Sequence, residues 1–548
     1  MVRIKIVLFF LLLILTSESN AQGNRFFIEF KDKQHNAHSI SNPSTFLSAK
    51  AIARRAKYGI IIDSTDIPIS QYYIDSVYKI GVSIHARSKW FNGVIIGTKD
   101  DSLYNQIKAL GFVKSAKELD RIIPNKGFEK FNEAQQPINA RSIANTDYGD
   151  SYNQQHQIGC DCLREQGFKG SGMTVAVLDA GFPNVDWIPA LDSARNNGQI
   201  LGGYDLVEMN DVIYDDHRHG TMVLSCMAGN IPGQLIGTAT DASYILLHTE
   251  DNNQENIIEE YNWVAGAEYA DSAGADVINS SLGYTQFDND LLSHSYADMN
   301  GDVAPASVGA DIAFDKGLLV VVSAGNSGAD SWYYISSPAD GDNVLAVGAV
   351  DSGGVVTDFS SRGPAVDGSI KPNVCAKGQN AVASDEWGNI TQVNGTSFAS
   401  PIMAGAAASL WSAFPNKSNL EIKAAIEESA HLFSNPDGDY GYGIPNLCVA
   451  KLLLTGQSKT ALHSSEAILA PNPFTNEFSV IIYSADTQTA KINIYDIAGK
   501  NIYNKELYLT TNSYNMISPT KEIALSQGVY IVKVSTLNNI QDFKLIKQ

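Results

Sequence analysis

Short apolar runs rich in β-branched residues alternate with segments of helical periodicity between residues 172 and 450. The runs show no polar alternation, which is typical of strands buried on both faces of a parallel sheet. Strands that alternate with helices in this way predict one doubly wound α/β domain. The predicted strands are 174–178, 244–247, 277–278, 318–322 and 344–347, and the predicted helices are 257–273 and 308–316.

Three residues of this region have the side chains of a nucleophilic catalyst. Asp179 directly follows the first predicted strand, and active-site groups of doubly wound sheets lie beyond the carboxyl ends of strands. His219 stands just ahead of a predicted helix at 222–228. Ser397 follows Gly395 at the start of another helical pattern, where unpaired N–H groups and the helix dipole favour an oxyanion. The alternatives are an Asp that is merely solvated and a Ser that only caps a helix.

Two more residues bear on this candidate site. Asn326 follows a buried strand pattern, and its amide could donate a hydrogen bond to a developing oxyanion, which is worth about 3–4 kcal/mol of transition-state stabilisation. Pro401 lies within the helical pattern that contains Ser397. We expect Pro401 early in that helix, where N–H groups lack intrahelical partners.

The order of these residues and the segments around them resemble the subtilisin-like serine proteases (subtilases, peptidase family S8). Over roughly residues 155–450, four segments match in the family's order, namely Val175–Asp179, His219–Thr221, Ser323–Asn326 and Gly395–Pro401. The resemblance implies that Ser397 attacks a peptide carbonyl and forms an acyl-enzyme, that His219 transfers the proton, and that Asp179 orients His219. It also implies an oxyanion hole made by the Ser397 N–H group and the Asn326 side chain.

The same resemblance implies where protein or peptide substrates bind. One segment after strand 277–278 resembles the edge that pairs with the substrate backbone by β-augmentation. Two small residues resemble the walls of the primary specificity pocket, with room for a large apolar side chain. The substrate-binding residues implied in this way are Ser281, Leu282, Gly283, Ala324 and Gly325.

One residue departs from the family pattern. The family usually has Ser or Thr after the catalytic Asp, whereas this chain has Ala180. We therefore expect Asp179 to lack one hydrogen bond, which tunes the site rather than inactivating it. Two alternatives to an active endopeptidase stay open: a non-catalytic exported binding protein on a subtilase scaffold, and another serine hydrolase such as an esterase. The absence of a G-x-S-x-G motif argues against the second alternative.

Residues 22–150 are predicted to form a small α+β domain followed by a linker at 124–150. The domain resembles the inhibitory propeptides of the family, which implies that it is an intramolecular inhibitor, released by a cut between about residues 125 and 155. A permanent accessory domain is the alternative. Its predicted strands are 25–30 and 90–97, and its predicted helices are 44–58, 71–80 and 103–110.

Charge separates this domain from the rest. The whole chain has a net charge of -20, but residues 22–150 have 18 basic and 13 acidic residues, and residues 151–467 have 12 basic and 39 acidic residues. A basic domain ahead of an acidic one suits electrostatic docking. The overall acidity argues against nucleic acid as a partner.

Residues 468–548 follow the predicted protease domain at 151–455 and a linker at 456–467. They contain short alternating runs without a helical pattern, which predicts an all-β sandwich. This segment resembles the C-terminal sorting domain of the Bacteroidetes type IX secretion pathway, which implies the type IX machinery as a partner. A carbohydrate-binding or protein-binding sandwich is the alternative. The matching segments are Pro471–Pro473, Ile494–Lys500 and Gly528–Lys533.

Residues 1–21 resemble a secretory signal peptide, because Arg3 and Lys5 precede a run of ten apolar residues, and Ser19–Ala21 offers small residues for cleavage. A membrane anchor is the alternative, but spanning needs about 20 apolar residues. We therefore expect a secreted or cell-surface protein that is exported through the periplasm and the outer membrane.

The five cysteines predict at least one thiol outside a disulfide, because the count is odd. Cys160 and Cys162 suit either a local disulfide or two separate partners, and Cys226 and Cys375 suit buried positions. We expect no metal ligand and no cofactor for the chemistry. The acidic segments 298–302 and 437–439 could bind structural calcium, but solvated turns are the favoured interpretation.

Overall fold

The structure is a computed structural model that describes residues 24–120, 130–131, 136–137, 147–456, 467–470, 472–475, 478–484, 488–509, 513–537 and 539–548. The expected signal peptide at residues 1–21 lies outside the described residues. So does most of the expected linker at 456–467.

The N-terminal domain is a four-stranded antiparallel sheet with three helices, as the α+β prediction requires. Alternate residues of the first strand, Phe26, Ile28 and Phe30, are buried in a core of its own. The strands are β1 (Asn24–Phe30), β2 (Ser83–Ser88), β3 (Gly93–Thr98) and β4 (Val113–Asp120), in the order β2-β3-β1-β4, and the helices are α1 (Ala49–Tyr58), α2 (Gln71–Tyr78) and α3 (Asp101–Lys108).

Strand β2 was not expected from the sequence. Its residues are mostly polar and include His85 and Arg87. The strand forms because its backbone pairs with β3, while Ala86 and Ser88 are buried. The predicted helix at 44–58 is shorter than expected, with a 3-10 turn at Pro43–Thr45 before α1 begins at Ala49.

The large α/β domain begins after the short strand β5 (Gln136–Pro137). Its helices are α4 (Tyr152–His156), α5 (Cys160–Glu165), α6 (Asp192–Asn196), α7 (His219–Ala228), α8 (Ile258–Ala273), α9 (Pro305–Asp315), α10 (Thr396–Ala413), α11 (Asn419–Glu428) and α12 (Leu447–Leu454). Its strands are β6 (Thr174–Asp179), β7 (Ile200–Asp205), β8 (Asn230–Ile231), β9 (Leu235–Ile236), β10 (Ser243–His248), β11 (Val277–Ser280), β12 (Leu319–Ser323), β13 (Leu345–Val350), β14 (Val374–Lys377), β15 (Ala381–Ser384) and β16 (Ile390–Val393).

Seven of these strands form one parallel sheet in the order β14-β13-β12-β11-β6-β10-β7. All residues of β6, β12 and β13 are buried, because helices cover both faces of the sheet. The five predicted strands are confirmed, and so is the doubly wound fold. The two edge strands, β7 and β14, were not predicted: β7 contains two glycines and is largely half-buried, and β14 has only four residues.

The C-terminal domain consists of two antiparallel sheets, ordered β17-β18-β21 and β20-β19-β22-β23. Residues of both sheets share one hydrophobic core, for example Val480 from one and Val532 from the other. The predicted all-β sandwich is therefore confirmed. Its strands are β17 (Ala467–Ala470), β18 (Ser479–Ser484), β19 (Gln488–Asp496), β20 (Asn501–Leu509), β21 (Ser513–Ile517), β22 (Gly528–Ser535) and β23 (Ile540–Lys547).

One disulfide joins Cys162 in α5 to Cys448 in α12, with the two Cα atoms 6.2 Å apart. The local disulfide between Cys160 and Cys162 is therefore not formed. Cys160, Cys226 and Cys375 are buried thiols, as the odd count requires. Burial raises the pKa of the Cys160 thiol, which keeps it protonated. Within the described ranges, no helix has both the length and the apolar character to cross a membrane.

Candidate active site

Asp179 and His219 meet at the carboxyl end of the central sheet. Asp179 is the last residue of β6, and His219 is the first residue of α7 rather than a residue ahead of it. His219 Nδ1 lies 2.5 Å from Asp179 Oδ1, and the Ala180 N–H group donates to the same oxygen at 2.8 Å. Both side chains are fully buried. In this dry setting the carboxylate fixes the orientation of the imidazole ring.

The second carboxylate oxygen, Asp179 Oδ2, is buried and has no hydrogen-bond partner among the described residues. The family usually supplies a hydroxyl at the next position, where this chain has the buried methyl group of Ala180. The geometry agrees with the expected loss of one hydrogen bond to Asp179. His219 keeps its contact with Oδ1 all the same.

Ser397 is the second residue of α10, in the first turn, where N–H groups have no carbonyl partner four residues back in the helix. Its hydroxyl donates to the Ser281 carbonyl oxygen at 3.3 Å, and the Ser281 hydroxyl donates to the Ser397 carbonyl oxygen at 2.8 Å. The His219 ring lies 6.0 Å, centroid to centroid, from the ring of Phe398, the residue after Ser397. The fold thus brings Asp179, His219 and Ser397 to one site.

Pro401 lies later in its helix than expected, beyond the first turn in which a proline costs no intrahelical hydrogen bond. It is the sixth residue of α10, so it removes the N–H group that would bond to the carbonyl four residues back. That carbonyl belongs to Ser397, and it accepts the Ser281 hydroxyl instead. The missing helix bond therefore makes room for a side chain that ties Ser397 to the segment after β11.

Asn326 lies beside the same helix start. Its Oδ1 atom accepts hydrogen bonds from both the backbone N–H and the hydroxyl of Thr396, each at 2.9 Å. These contacts fix the amide so that Nδ2 is free to face the opposite way. Gly395 has a φ of 149°, and a Cβ atom added to it would lie 3.6 Å from both Asn326 Nδ2 and the Ser397 nitrogen. Two donors thus border one small space.

Of the five substrate-binding residues implied by the resemblance, Ser281 is bonded to Ser397 and Gly325 is bonded to Thr396, the residue before Ser397. Ser281 and Leu282 are buried, whereas Gly283 is exposed. The Gly325 N–H group donates to Thr396 Oγ1 at 3.2 Å, and Ala324 is buried beneath it. The hydroxyls of Ser336 and Ser361 are the nearest side-chain atoms around Gly325, so this end of the cleft is more polar than expected.

Two residues of the expected linker also reach this site, and sequence reasoning missed them. The Phe131 ring stacks on the rings of His219 and His217, with centroids 4.6 and 4.9 Å away. Lys130 contacts three carboxylates: Glu250, Glu255 and Glu259. The only sequence signal was a basic residue next to an aromatic one near the end of the basic domain.

One group of side chains in the described residues has the spacing of metal ligands, namely Asp205, Asp216 and His248. His248 Nδ1 lies 3.1 Å from Asp205 and 3.4 Å from Asp216. Burial opposes the charged imidazole, but the two carboxylates outweigh it and raise the pKa of His248. An ion pair accounts for this group. The candidate calcium segments instead use Asp298 and Asp437 to accept backbone hydrogen bonds within turns.

Comparisons with known proteins agree with this geometry. The model of the subtilase family matches residues 170–443. Subtilisin E of Bacillus subtilis is 32% identical over 298 residues, which cover 54% of this chain and 69% of that protein. This chain belongs to the subtilase family. The subtilase is also similar to the serine protease AprX of Bacillus subtilis, at 30% identity over 312 residues, or 51% of this chain and 66% of that protein. It is a serine endopeptidase.

Two further family models match the flanking domains of this subtilase. The peptidase S8 propeptide domain of Bacteroidota matches residues 25–135, and the secretion system C-terminal sorting domain matches residues 469–548. The predicted propeptide and the predicted sorting domain are therefore confirmed. The sorting domain marks the protein for export, to the medium or to the cell surface.

Proposed function

We propose that this subtilase is made as a self-processed zymogen and hydrolyses peptide bonds with Ser397, His219 and Asp179 as its catalytic triad. The observation that carries this proposal is the fully buried 2.5 Å contact between His219 Nδ1 and Asp179 Oδ1, beside the helix start that presents Ser397. A protein that only bound peptides would have no need of a buried, ion-paired imidazole at this place.

The first chemical step is the attack of Ser397 Oγ on the substrate carbonyl carbon. The hydroxyl leaves the Ser281 carbonyl oxygen, to which it donates at 3.3 Å, and passes its proton to His219 Nε2. Such contacts often tighten only once substrate is bound. Asp179 stabilises the imidazolium that forms. The carbonyl oxygen becomes an oxyanion between the Ser397 N–H group and Asn326 Nδ2.

The second half of the reaction reverses these roles. His219 gives its proton to the leaving amine as the C–N bond breaks, which leaves an acyl-enzyme on Ser397. A water molecule then gives a proton to His219 and attacks the ester carbon, and the oxyanion returns to the same two donors. Release of the acid restores the Ser397 hydroxyl. All of these groups belong to the protein, so we propose that the chemistry needs no cofactor.

Substrate recognition is proposed to begin with the backbone. The segment Ser281–Gly283 would pair with an extended peptide, and Ala324 and Gly325 would border the pocket for the residue before the cut. The prosegment is proposed to occupy this cleft before maturation, because Phe131 covers His219. Through its sorting domain, the protein is proposed to pass from the periplasm across the outer membrane by the type IX machinery.

The test is the reaction of the mature protein with a fluorophosphonate probe, which labels activated serine nucleophiles. We expect wild type to be labelled at Ser397 and to cleave casein, and Ser397→Ala to do neither. The matched control is Ser327→Ala, a serine in the same cleft region to which no chemical role is given. Labelling absent from correctly folded wild type would contradict the proposal.

A further inference from the structure

The side chain of Lys130 enters a pocket walled by Glu250, Glu255 and Glu259, which we name the acidic pocket. Lys130 Nζ lies 2.6 Å from Glu259 Oε1, 2.7 Å from Glu250 Oε2 and 3.1 Å from Glu255 Oε2. Only 10% of the lysine side chain is exposed. A buried ammonium ion at this depth is tolerated only where carboxylates pair with it.

The walls of the pocket are held by bonds that do not involve Lys130. Glu250 Oε1 accepts from the Tyr284 hydroxyl at 2.6 Å and from the Thr249 hydroxyl at 3.0 Å. Glu259 accepts from the backbone N–H groups of Asp251 and Asn256, at 2.8 and 3.1 Å. The acidic pocket is thus a preformed part of the protease domain rather than an arrangement induced by Lys130.

The charges of the pocket call for a cation. Glu250 and Glu259 have exposed fractions of 0% and 1%, and three neighbouring carboxylates repel one another. Burial is the main cause that raises the pKa of Glu259, and Lys130 opposes this rise. Removing the lysine would remove the cation that opposes this rise, so the Glu259 carboxyl would take up a proton instead of keeping a buried charge without a partner. A neutral side chain in the same place would have the same effect, whereas a second lysine would restore the ion pair.

The acidic pocket lies next to the triad. Glu250 follows β10, and the Thr249 N–H group just before it donates to the Asp179 carbonyl oxygen at 3.0 Å. Phe131, the residue after Lys130, stacks on His219. Consecutive residues of the prosegment therefore place a cation in the acidic pocket and an aromatic ring against the catalytic histidine. A substrate that crosses the cleft along the same path would present the same two positions.

We propose that the acidic pocket is a specificity subsite of this subtilase that takes the lysine side chain of a protein substrate, directly before the residue that packs on His219. The inference rests on the proposed endopeptidase function and names a substrate class for that site. Lys130 is then the prosegment's copy of the preferred substrate residue. When the prosegment leaves, the same carboxylates are open to substrates.

The test compares two peptides of identical sequence around Lys-Phe, with norleucine replacing lysine in the second. Norleucine keeps the aliphatic chain and removes only the charge. We expect mature wild type to cleave the lysine peptide with a kcat/KM at least tenfold higher than the norleucine peptide. Glu255→Gln and Glu259→Gln should each reduce this ratio several-fold, and Asp290→Asn, which alters an exposed aspartate, should leave it unchanged.

Two readouts separate the inference from the function on which it rests. Fluorophosphonate labelling of Ser397 reports in each variant whether the triad is assembled, and casein hydrolysis reports activity without reference to one subsite. Suppose that wild type is labelled and cleaves casein, but its kcat/KM values for the lysine and norleucine peptides differ by less than twofold. This result would overturn the acidic subsite and would not contradict the endopeptidase function. A wild type that is neither labelled nor active would overturn the function itself. Glu255 is partly exposed at 15%, so Glu255→Gln supplies a variant even where Glu259→Gln does not fold.

Discussion

The domains on either side of the protease domain contact it in opposite ways. On the N-terminal side, Arg54 and Arg55 of α1 insert into the protease domain and pair with Asp271 of α8, and all three side chains are at least 96% buried. On the C-terminal side, Lys521 pairs with Glu165 at 2.8 Å, and the exposed fractions of these side chains are 48% and 57%. The ion pairs of the first interface are buried, whereas the ion pair of the second is exposed to solvent.

The N-terminal interface satisfies its buried charges with several bonds each. Asp271 accepts from both arginines at 2.5 to 2.9 Å. Glu268, one helical turn earlier, accepts from the Ser88 hydroxyl and from the N–H groups of Lys89 and Trp90, at 2.6 to 2.9 Å. Burial raises the pKa of Glu268, while these donors oppose the rise. Such an interface fixes one orientation of the propeptide.

The C-terminal interface is small and apolar apart from its exposed ion pair. Val449 of α12 and Ile481 of β18 are its buried residues, with a few half-buried side chains packed around them. A small contact of this kind does not hold two domains rigidly. The contrast teaches that the propeptide is docked as a specific partner of the protease, whereas the sorting domain is attached as a tail.

The largest expected effect is on the removal of the propeptide, which should need Ser397, whereas removal of the sorting domain should not. We expect Ser397→Ala to lower peptide hydrolysis by about 10⁴- to 10⁶-fold and so to retain the propeptide. Removal of the sorting domain should continue if the secretion pathway performs it. Mass spectrometry of both termini in the exported protein measures this. Loss of the propeptide in the mutant at the wild-type rate would show that another protease matures the enzyme.

The next effect concerns the buried ion pairs. Asp271→Ala leaves the buried guanidinium group of Arg54 without a carboxylate and leaves Arg55 with Asp66 as its remaining carboxylate partner. Breaking a buried pair in this way costs about 3–5 kcal/mol. We expect the free energy of unfolding of the propeptide, measured by urea in the inactive Ser397→Ala chain, to fall by this amount. Asp290→Ala is the matched control. A loss below about 1 kcal/mol would mean that the ion pairs of the N-terminal interface are no more buried in solution than the C-terminal one.

The sequence predicted the parts of the fold whose signal lies within one segment. The strand before Asp179 and the helix start before Ser397 are each a continuous pattern that ends in a functional residue. Strands β2 and β7 were missed because pairing with a neighbour, rather than their own apolar residues, makes them strands. The bond from Ser281 to the Ser397 carbonyl depends on a missing N–H group 120 residues further along the chain from Ser281, at Pro401.

The acidic pocket shows what could not be predicted from the sequence. Its three glutamates lie within ten residues of one another, at Glu250, Glu255 and Glu259. In such an acidic chain, this pattern predicts solvated loop and helix residues. The cation that pairs with them, Lys130, lies more than 100 residues earlier in a segment without periodicity. Only the docking of the propeptide brings Lys130 to the three glutamates, which the protease domain already holds in place.

The third effect is the pH dependence of lysine selectivity at the acidic pocket, which the exposed ion pair of the C-terminal interface should not share. Burial raises the pKa of Glu255 to about 7, and Lys130 opposes the rise, while Glu250 and Asp288 add to it. Because a bound lysine lowers this pKa, binding releases a proton, and affinity for lysine must increase as the pH rises. We expect the ratio of kcat/KM for lysine over norleucine peptides to rise about three- to tenfold from pH 6 to pH 8.

This ratio cancels the pH dependence of the chemical step, which affects both peptides alike. Glu255→Gln removes the titrating group and should flatten the profile, whereas Asp290→Asn should leave it unchanged. A ratio that falls as the pH rises would contradict the assigned sign of the linkage. The half-exposed pair of Lys521 and Glu165 contains no such buried carboxylate. The strength of the contact with the sorting domain should therefore not change between pH 6 and pH 8.

The smallest effect is expected at the exposed ion pair of the C-terminal interface. Glu165→Gln removes the charge opposite Lys521 but leaves both side chains hydrated, and exposed ion pairs contribute about 0–1 kcal/mol. We expect the free energy of unfolding of the inactive Ser397→Ala chain to change by no more than this, and the small difference to vanish in high salt because exposed charges are screened. Asp271→Ala, measured beside it, should keep its larger loss in salt, since its partners are buried. A salt-resistant loss of several kcal/mol in Glu165→Gln would place the sorting domain in the same class as the propeptide, as a docked partner rather than a tail.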